Sequence, residues 1–249
     1  MTGKLDAKVA IITGASSGIG EATAIALAAE GATVAIAARR GERLEALAKR
    51  IADRGGKALP IMTDITDETQ ANNLINQTNA DLGKVDILVN NAGVALTGNI
   101  AGGNTSDWRR MFDVNVFGVL YTTHAVLPIF QAQGSGHIVN ISSVAGRIAR
   151  AGVGIYNATK WGVNAISESL RQEVLKDNIR VTVIEPGLVE TEINNHVTDP
   201  VAKKNVEERL KAITPLQSED IAAAIAYAVT QPPHVNVNEI LIRPTHQER

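Results

Sequence analysis

Seven short apolar runs recur along this chain of 249 residues, and helical patterns fill the stretches between them. The runs are "KVAIIT" (8–13), "TVAIAA" (33–38), "KALPIMTD" (57–64), "VDILVNNAG" (85–93), "HIVNISS" (137–143), "IRVTVIEPG" (179–187) and "EILIRP" (239–244). After the first run, Ile19, Ala22, Ile25, Ala26 and Ala29 repeat at helical spacing and Gly31 ends the stripe. Leu44, Leu47 and Ile51 do the same after the second, and a third helix is expected from Asp67 to about Leu82. Longer helical patterns occupy 106–132 and 155–177. Strands that alternate with helices in this way run parallel, because a parallel pair needs a crossover connection. The expected architecture is α/β, a doubly wound parallel seven-stranded sheet with helices on both faces, of the Rossmann-like type. No Pro/Ser-rich linker or charge block divides the chain, so one domain over 1–249 is expected.

In such sheets a ligand sits beyond the carboxyl ends of the strands. After the first strand, "TGASSGIG" (13–20) opens directly into a helix. Glycines at 14, 18 and 20 let the backbone turn tightly and approach a pyrophosphate, which the helix N-terminus then attracts. Ile19-Gly20 follows Gly18 where a phosphate-binding P-loop needs Lys-Ser/Thr, so this is not a nucleoside triphosphate loop. After the third strand, Asp64 could accept from an adenine amino group or cap the next helix, although Asp67 suits capping better. Asn90 and Asn91 follow the fourth strand, where their amides could lock neighbouring loops or touch a ribose. Ser142 and Ser143 follow the fifth, and Pro186, Gly187 and Thr191 follow the sixth.

Composition closes other routes. The chain has no cysteine, which removes disulfides, thiolate zinc sites and cysteine nucleophiles. Its five histidines are scattered, so no metal site is expected. A formal charge of −2 gives no basic face for nucleic acid. No apolar run approaches the ~20 residues of a membrane span, and no basic-then-apolar leader precedes the first strand. A cytoplasmic protein without membrane or nucleic-acid partners is expected.

In their order and spacing these motifs resemble the short-chain dehydrogenase/reductase family, in its shorter single-domain branch. The resemblance rests on TGxxxGxG at 13–20, NNAG at 90–93, Asn115 in "NVFG", the serines of "NISS", Tyr156 and Lys160 in YxxxK, and Pro186-Gly187. It covers nearly the whole chain. "AARRGERL", "IEPGLVETE" and the ending "NEILIRPTHQER", which lacks a glycine-containing turn, are similar to a subgroup containing NADP-dependent 3-hydroxy acid (serine) dehydrogenases and clavulanate-type aldehyde reductases. The resemblance implies hydride transfer between a nicotinamide cofactor and an alcohol or carbonyl substrate, with Asn115, Ser143, Tyr156 and Lys160 as the catalytic set. The family's serine lies about a dozen residues before the tyrosine, which favours Ser143 over Ser142. Cofactor contacts are implied for Gly14, Ser16, Ser17, Gly18, Ile19, Gly20, Arg39, Arg40, Asp64, Ile65, Asn91, Ala92, Gly93, Tyr156, Lys160, Pro186, Gly187, Val189 and Thr191. Asn115 would hold a water linking Lys160 to solvent.

Tyr156 and Lys160 stand at i and i+4 and share a helix face. A free phenol titrates at about 10. A cation about 4 Å away would favour phenolate by about 4 kcal/mol at most, and burial would oppose that shift. The expectation is a phenol moved toward the range of a general acid/base. A segment at 189–215 is expected to cover the substrate, with Glu190 and Glu192 on solvated surface. No arginine clamp for a carboxylate is identified. NADP(H) is the expected cofactor: the second strand ends in Ala38-Arg39-Arg40, with no carboxylate there to bind a ribose 2′-OH and two guanidinium groups for a 2′-phosphate. A non-catalytic nicotinamide-sensing regulatory protein on the same fold is the alternative. The long helices 106–132 and 155–177 are those that relatives use to pair subunits, so a homotetramer is expected, with Val163, Ile166, Leu170 and Val174 as an apolar stripe.

Overall fold

In the computed structural model, residues 3–248 are described; residues 1, 2 and 249, which the expected domain bounds include, lie outside them. Seven parallel strands form one sheet: β1 (Val9–Thr13), β2 (Thr33–Ala38), β3 (Lys57–Met62), β4 (Ile87–Asn90), β5 (Gly136–Ile141), β6 (Ile179–Pro186) and β7 (Glu239–Ile242). Their spatial order is β3-β2-β1-β4-β5-β6-β7. The sequence therefore reverses direction between β1 and β4, and the two chain segments leaving these strands splay apart at their carboxyl ends.

Alternating side chains of each strand feed two cores. Ala10 and Ile12 of β1 with Val34 and Ile36 of β2 pack under α1 (Gly18–Ala29), α2 (Gly41–Ala52) and α8 (Ser218–Val229). Ile11, Ala35 and Ala37, pointing the other way, meet α3 (Glu68–Leu82), α5 (Gly118–Gln133) and α6 (Gly154–Glu173). The expected α2 stripe is the buried one, Leu44, Leu47 and Ile51. In α1 the stripe differs: Ala22, Ala24, Leu27 and Ala28 are buried, Ile19 and Ile25 only partly so, and Ala29 is exposed. This helix is covered both by the sheet and by α8, so small residues face inward on two sides and no single apolar stripe marks its core face.

The expected helix over 106–132 is broken into α4 (Thr105–Phe112), a π turn (Asp113–Phe117) and α5. Asn115 lies in that π turn, fully buried. The apolar stripe of α6 faces the protein's own core: Val163, Leu170 and Val174, the residue that follows the helix, are buried and Ile166 partly so. Asp67 caps α3, accepting from the Thr69 and Gln70 N–H groups. Beyond β6 the chain forms a 3-10 turn (Glu192–His196) and α7 (Pro200–Ala212) at the carboxyl edge of the sheet. Among the described residues no helix is long and apolar enough to cross a membrane.

Candidate active site

A cavity of about 650 Å³ opens along the carboxyl edge of the sheet. Its floor is the turn between β1 and α1. Gly14 and Gly18 have φ of 66° and 59°, a conformation that glycine adopts without strain. A Cβ on Gly14 would lie 2.8 Å from the Ala92 Cα, so glycine also lets the β1 and β4 turns touch. Gly20 is not on the cavity wall; it lies behind it, where a Cβ would come within 2.5 Å of Asn91 Nδ2 and of the Gly14 carbonyl. Glycine at this position thus also lets the β1 turn pack against the β4 turn. Thr13 and Asn91 stitch the two turns: the Asn91 and Ala92 N–H groups donate to Thr13 Oγ1 at 3.0 and 3.1 Å, and Asn91 Nδ2 donates to the Thr13 carbonyl at 2.9 Å.

Ser16, Ser17, Ile19, Arg39, Arg40, Asp64, Ile65, Ala92, Gly93, Pro186, Gly187, Val189 and Thr191 all line this cavity. Arg39 has no hydrogen-bond or ion-pair partner among the described residues. Arg40 is engaged: it donates to Ser16 Oγ and Ser17 Oγ and pairs with Glu192 at 2.8 Å. Arg43, which the motifs did not flag, pairs with the same carboxylate at 2.8 Å. Two expectations are thereby corrected. Glu192 is no solvated bystander, and a carboxylate does stand beside the arginines, delivered from 152 residues away along the chain. The two guanidinium groups hold the Glu192 carboxyl down at about 2.

At the other end stand Ser143, Tyr156 and Lys160. Both serines line the cavity, but the Ser142 hydroxyl is committed to the Lys160 carbonyl at 3.3 Å. Ser143 also caps a short 3-10 turn, accepting from the Ala145 N–H at 3.1 Å. Asn157 ties the loop between them to α6, donating to the Ala145 and Ile148 carbonyls at 2.7 Å. Lys160 Nζ donates to the Ile141 carbonyl at 2.8 Å and lies 5.8 Å from the centre of the Tyr156 ring. This corrects the expected electrostatics. The cation sits over the ring face, burial pushes the Tyr156 phenol up to about 12, and Ser143 in hydrogen-bonding reach only partly opposes it. Burial lowers Lys160 to about 8. Burial is the leading cause of both shifts.

Asn115 does not reach the cavity. Its amide holds both sides of the Val94 backbone, at 2.8 and 2.9 Å, and donates to Thr159 Oγ1 at 3.1 Å. It braces the cavity wall against α6. Asp64 turns its carboxylate onto Thr66, whose N–H and hydroxyl donate to it. Gln247 is a wall residue that the motifs missed: Oε1 accepts the Leu188 N–H at 2.8 Å. No local pattern marks a residue 59 positions away. Among the described residues no group of three His, Asp or Glu side chains gathers as a metal site.

The family model described as short chain dehydrogenase matches residues 8–202. An uncharacterized oxidoreductase of Staphylococcus saprophyticus is 43% identical over 244 residues, covering 96% of this chain and 97% of that one. The closed form of serine dehydrogenase complexed with NADP+ superposes with a TM-score of 0.90 at 34% identity, covering 97% and 96% of the two chains. A Burkholderia phymatum short chain dehydrogenase/reductase in complex with NAD matches with a TM-score of 0.86 at 28% identity, covering 96% and 89%.

Proposed function

The chain belongs to the short-chain dehydrogenase family, and on that premise we propose that it is an NADP(H)-dependent alcohol/carbonyl oxidoreductase with Tyr156 as general acid/base. The single observation that carries this reading is the placement of Ser143, Tyr156 and Lys160 in the same cavity as the glycine turn and the unpartnered Arg39. The residues fit a dinucleotide phosphate. Gly14 allows close backbone approach, the α1 N-terminus offers free N–H groups to the pyrophosphate, and Arg39 can receive a 2′-phosphate. The nicotinamide, when bound, supplies or accepts the hydride.

The chain's own groups position the substrate and move the proton. Ser143 holds the substrate oxygen by a hydrogen bond. Tyr156 gives its phenolic proton to that oxygen in reduction and takes it back in oxidation. A phenol held at about 12 keeps its proton at neutral pH, which suits the carbonyl-reducing direction. Lys160, cationic below about 8, orients the ribose and limits the cost of transient phenolate. Asn115 acts one layer back, fixing the wall at Val94.

The substrate lies among ketones, aldehydes and 3-hydroxy or 3-keto acids, and the segment 189–215 covers it. A homotetramer is part of this reading. The nicotinamide-sensing alternative is the weaker one, because it leaves Tyr156 and the Ser143 hydroxyl in its reach without a role. Following reduced-nicotinamide absorbance with a panel of carbonyl compounds separates the two. Consumption of NADPH, at greater catalytic efficiency than NADH, is expected; binding of either nucleotide with no turnover across the panel would favour the sensor.

A further inference from the structure

The geometry points to Asn157 as a positioning residue, one that holds the Ser143 turn at a fixed distance from Tyr156 by tying the carbonyls of that turn to α6. The inference rests on the oxidoreductase reading and adds a residue to its machinery. Residues 144–155 link the serine to the tyrosine, and they begin as a 3-10 turn, Val144–Gly146. The internal bonds of that turn use the Ser143 carbonyl, which accepts from Gly146, and the Val144 carbonyl, which accepts from Arg147 and Ile148. The carbonyls of Ala145, Gly146 and Ile148 are left over, as at any helix end, and need partners from elsewhere. Two side chains of α6 supply them. Asn157 Nδ2 donates to Ala145 and to Ile148 at 2.7 Å, and Asn164 Nδ2 donates to Gly146 at 3.2 Å.

Asn157 is 4% exposed, and its whole amide is spent on this loop, since Oδ1 accepts the Arg150 N–H at 3.4 Å. Asparagine is a poor residue inside a helix, because its amide competes for backbone groups. Here it stands next to the tyrosine and gives that amide to another segment. Asn157, Lys160 and Asn164 share one face of α6, at i, i+3 and i+7. The turn is pressed against that face: a Cβ on Gly146 would lie 2.8 Å from Asn164 Nδ2, 2.9 Å from Ser142 Oγ and 3.0 Å from the Lys160 carbonyl. Ala145 is the link to the serine. Its carbonyl is held by Asn157, and its N–H donates to Ser143 Oγ at 3.1 Å. Ser143 in turn is the hydrogen-bonding partner that opposes burial at the Tyr156 phenol. A displacement of reacting groups by about 1 Å can cost about a hundredfold in rate, so a strut at this place bears on catalysis through Ser143.

The test is a double-mutant cycle with carbonyl substrate and NADPH. Asn157→Ala is expected to lower kcat by about tenfold to a hundredfold, with the NADP+ dissociation constant within a few-fold of its original value. Ser143→Ala should lower kcat further, and adding Asn157→Ala to it should cost nothing more, because the hydroxyl to be placed is gone. A strut that served stability alone would keep its effect in the double variant. Asn164→Ala, which removes the longer bond, runs the same cycle with a smaller loss and covers the case in which Asn157→Ala does not fold. Hydrogen exchange in the nucleotide-free protein gives a reading independent of turnover: the Ala145 amide should exchange about tenfold faster in either variant. An unchanged kcat in the folded variants, losses that multiply in the double variant, or unchanged exchange would overturn the positioning role and leave the oxidoreductase reading intact. An unaltered protein that turned over no carbonyl compound would overturn that reading, and the role with it.

Discussion

Glu192 sits where the expected 2′-phosphate site and the covering segment meet. Its carboxylate bridges Arg40 and Arg43, with side chains that are 42% and 48% exposed beside a carboxylate that is 39% exposed. Pairs this exposed contribute up to about 1 kcal/mol. An entering 2′-phosphate competes with that carboxylate for Arg40, while Arg39 is free to receive it. Glu192→Gln is therefore expected to tighten NADP+ binding by up to about fivefold and to leave NAD+ binding unchanged. Arg39→Asp should weaken NADP+ by about tenfold to a hundredfold. Equilibrium titration of both nucleotides checks this; weaker NADP+ binding in Glu192→Gln would mean that the carboxylate holds the arginines in place rather than competing. Arg39 and Arg40 were legible from their position after the second strand. Glu192 was not, because only the fold brings residue 192 to residue 40.

At the scale of elements, the loop that carries Ser143 and the turn at Pro186-Gly187 are held together by one buried carboxylate. Glu185, fully buried on β6, accepts from Arg147 Nε at 2.7 Å and from Asn164 Nδ2 at 2.8 Å. Arg147 reaches on to Glu239 of β7, so a loop, a helix and two strands share the network. Glu185→Gln keeps the shape and removes the charge. It should cost about 1.5–3 kcal/mol, read as a fall in Tm of about 3–12 °C. An unchanged Tm would show that the network stabilises nothing. The seven strands were legible because buried parallel strands are short continuous apolar runs. The break at Asp113–Phe117 was not, since "DVNVF" carries no Pro or Gly and its cause is tertiary: the Asn115 amide serves Val94 and Thr159 rather than its own helix. The α1 face was misread for a related reason, an alanine-rich helix covered on two sides.

Across the whole molecule, two properties extend beyond the site. His137 lies buried in β5, with Nε2 2.8 Å from Thr182 Oγ1. Burial first, and then the Arg180 charge, push its pKa well below the ordinary value of 6.5. The unfolded chain thus binds a proton that the folded one refuses. Its contribution to stability is complete above about pH 6.5 and is lost as pH falls below it, at up to ~1.4 kcal/mol per unit. Unfolding midpoints between pH 7.5 and 5 should show this slope, and His137→Asn should flatten it; equal slopes in the two proteins would exclude His137 as the cause. The second property is assembly. The Val163 stripe is core, but the outward faces of the same region expose Phe112, Phe117 and Trp161, with Phe117 stacked on Tyr121 at 6.1 Å. Exposed aromatics grouped in this way suit an isologous contact in a closed oligomer. Light scattering at micromolar concentration is expected to give a tetramer, and a monomer would remove that part of the account.

The proton given by Tyr156 is the central claim, and one substitution isolates it. Tyr156→Phe keeps the ring beneath Lys160 and deletes only the hydroxyl beside Ser143. With carbonyl substrate and NADPH, kcat is expected to fall by orders of magnitude while the NADP+ dissociation constant stays within a few-fold. A variant that kept more than about a tenth of the activity, a loss of less than ~1.4 kcal/mol of barrier stabilisation, would contradict the assignment.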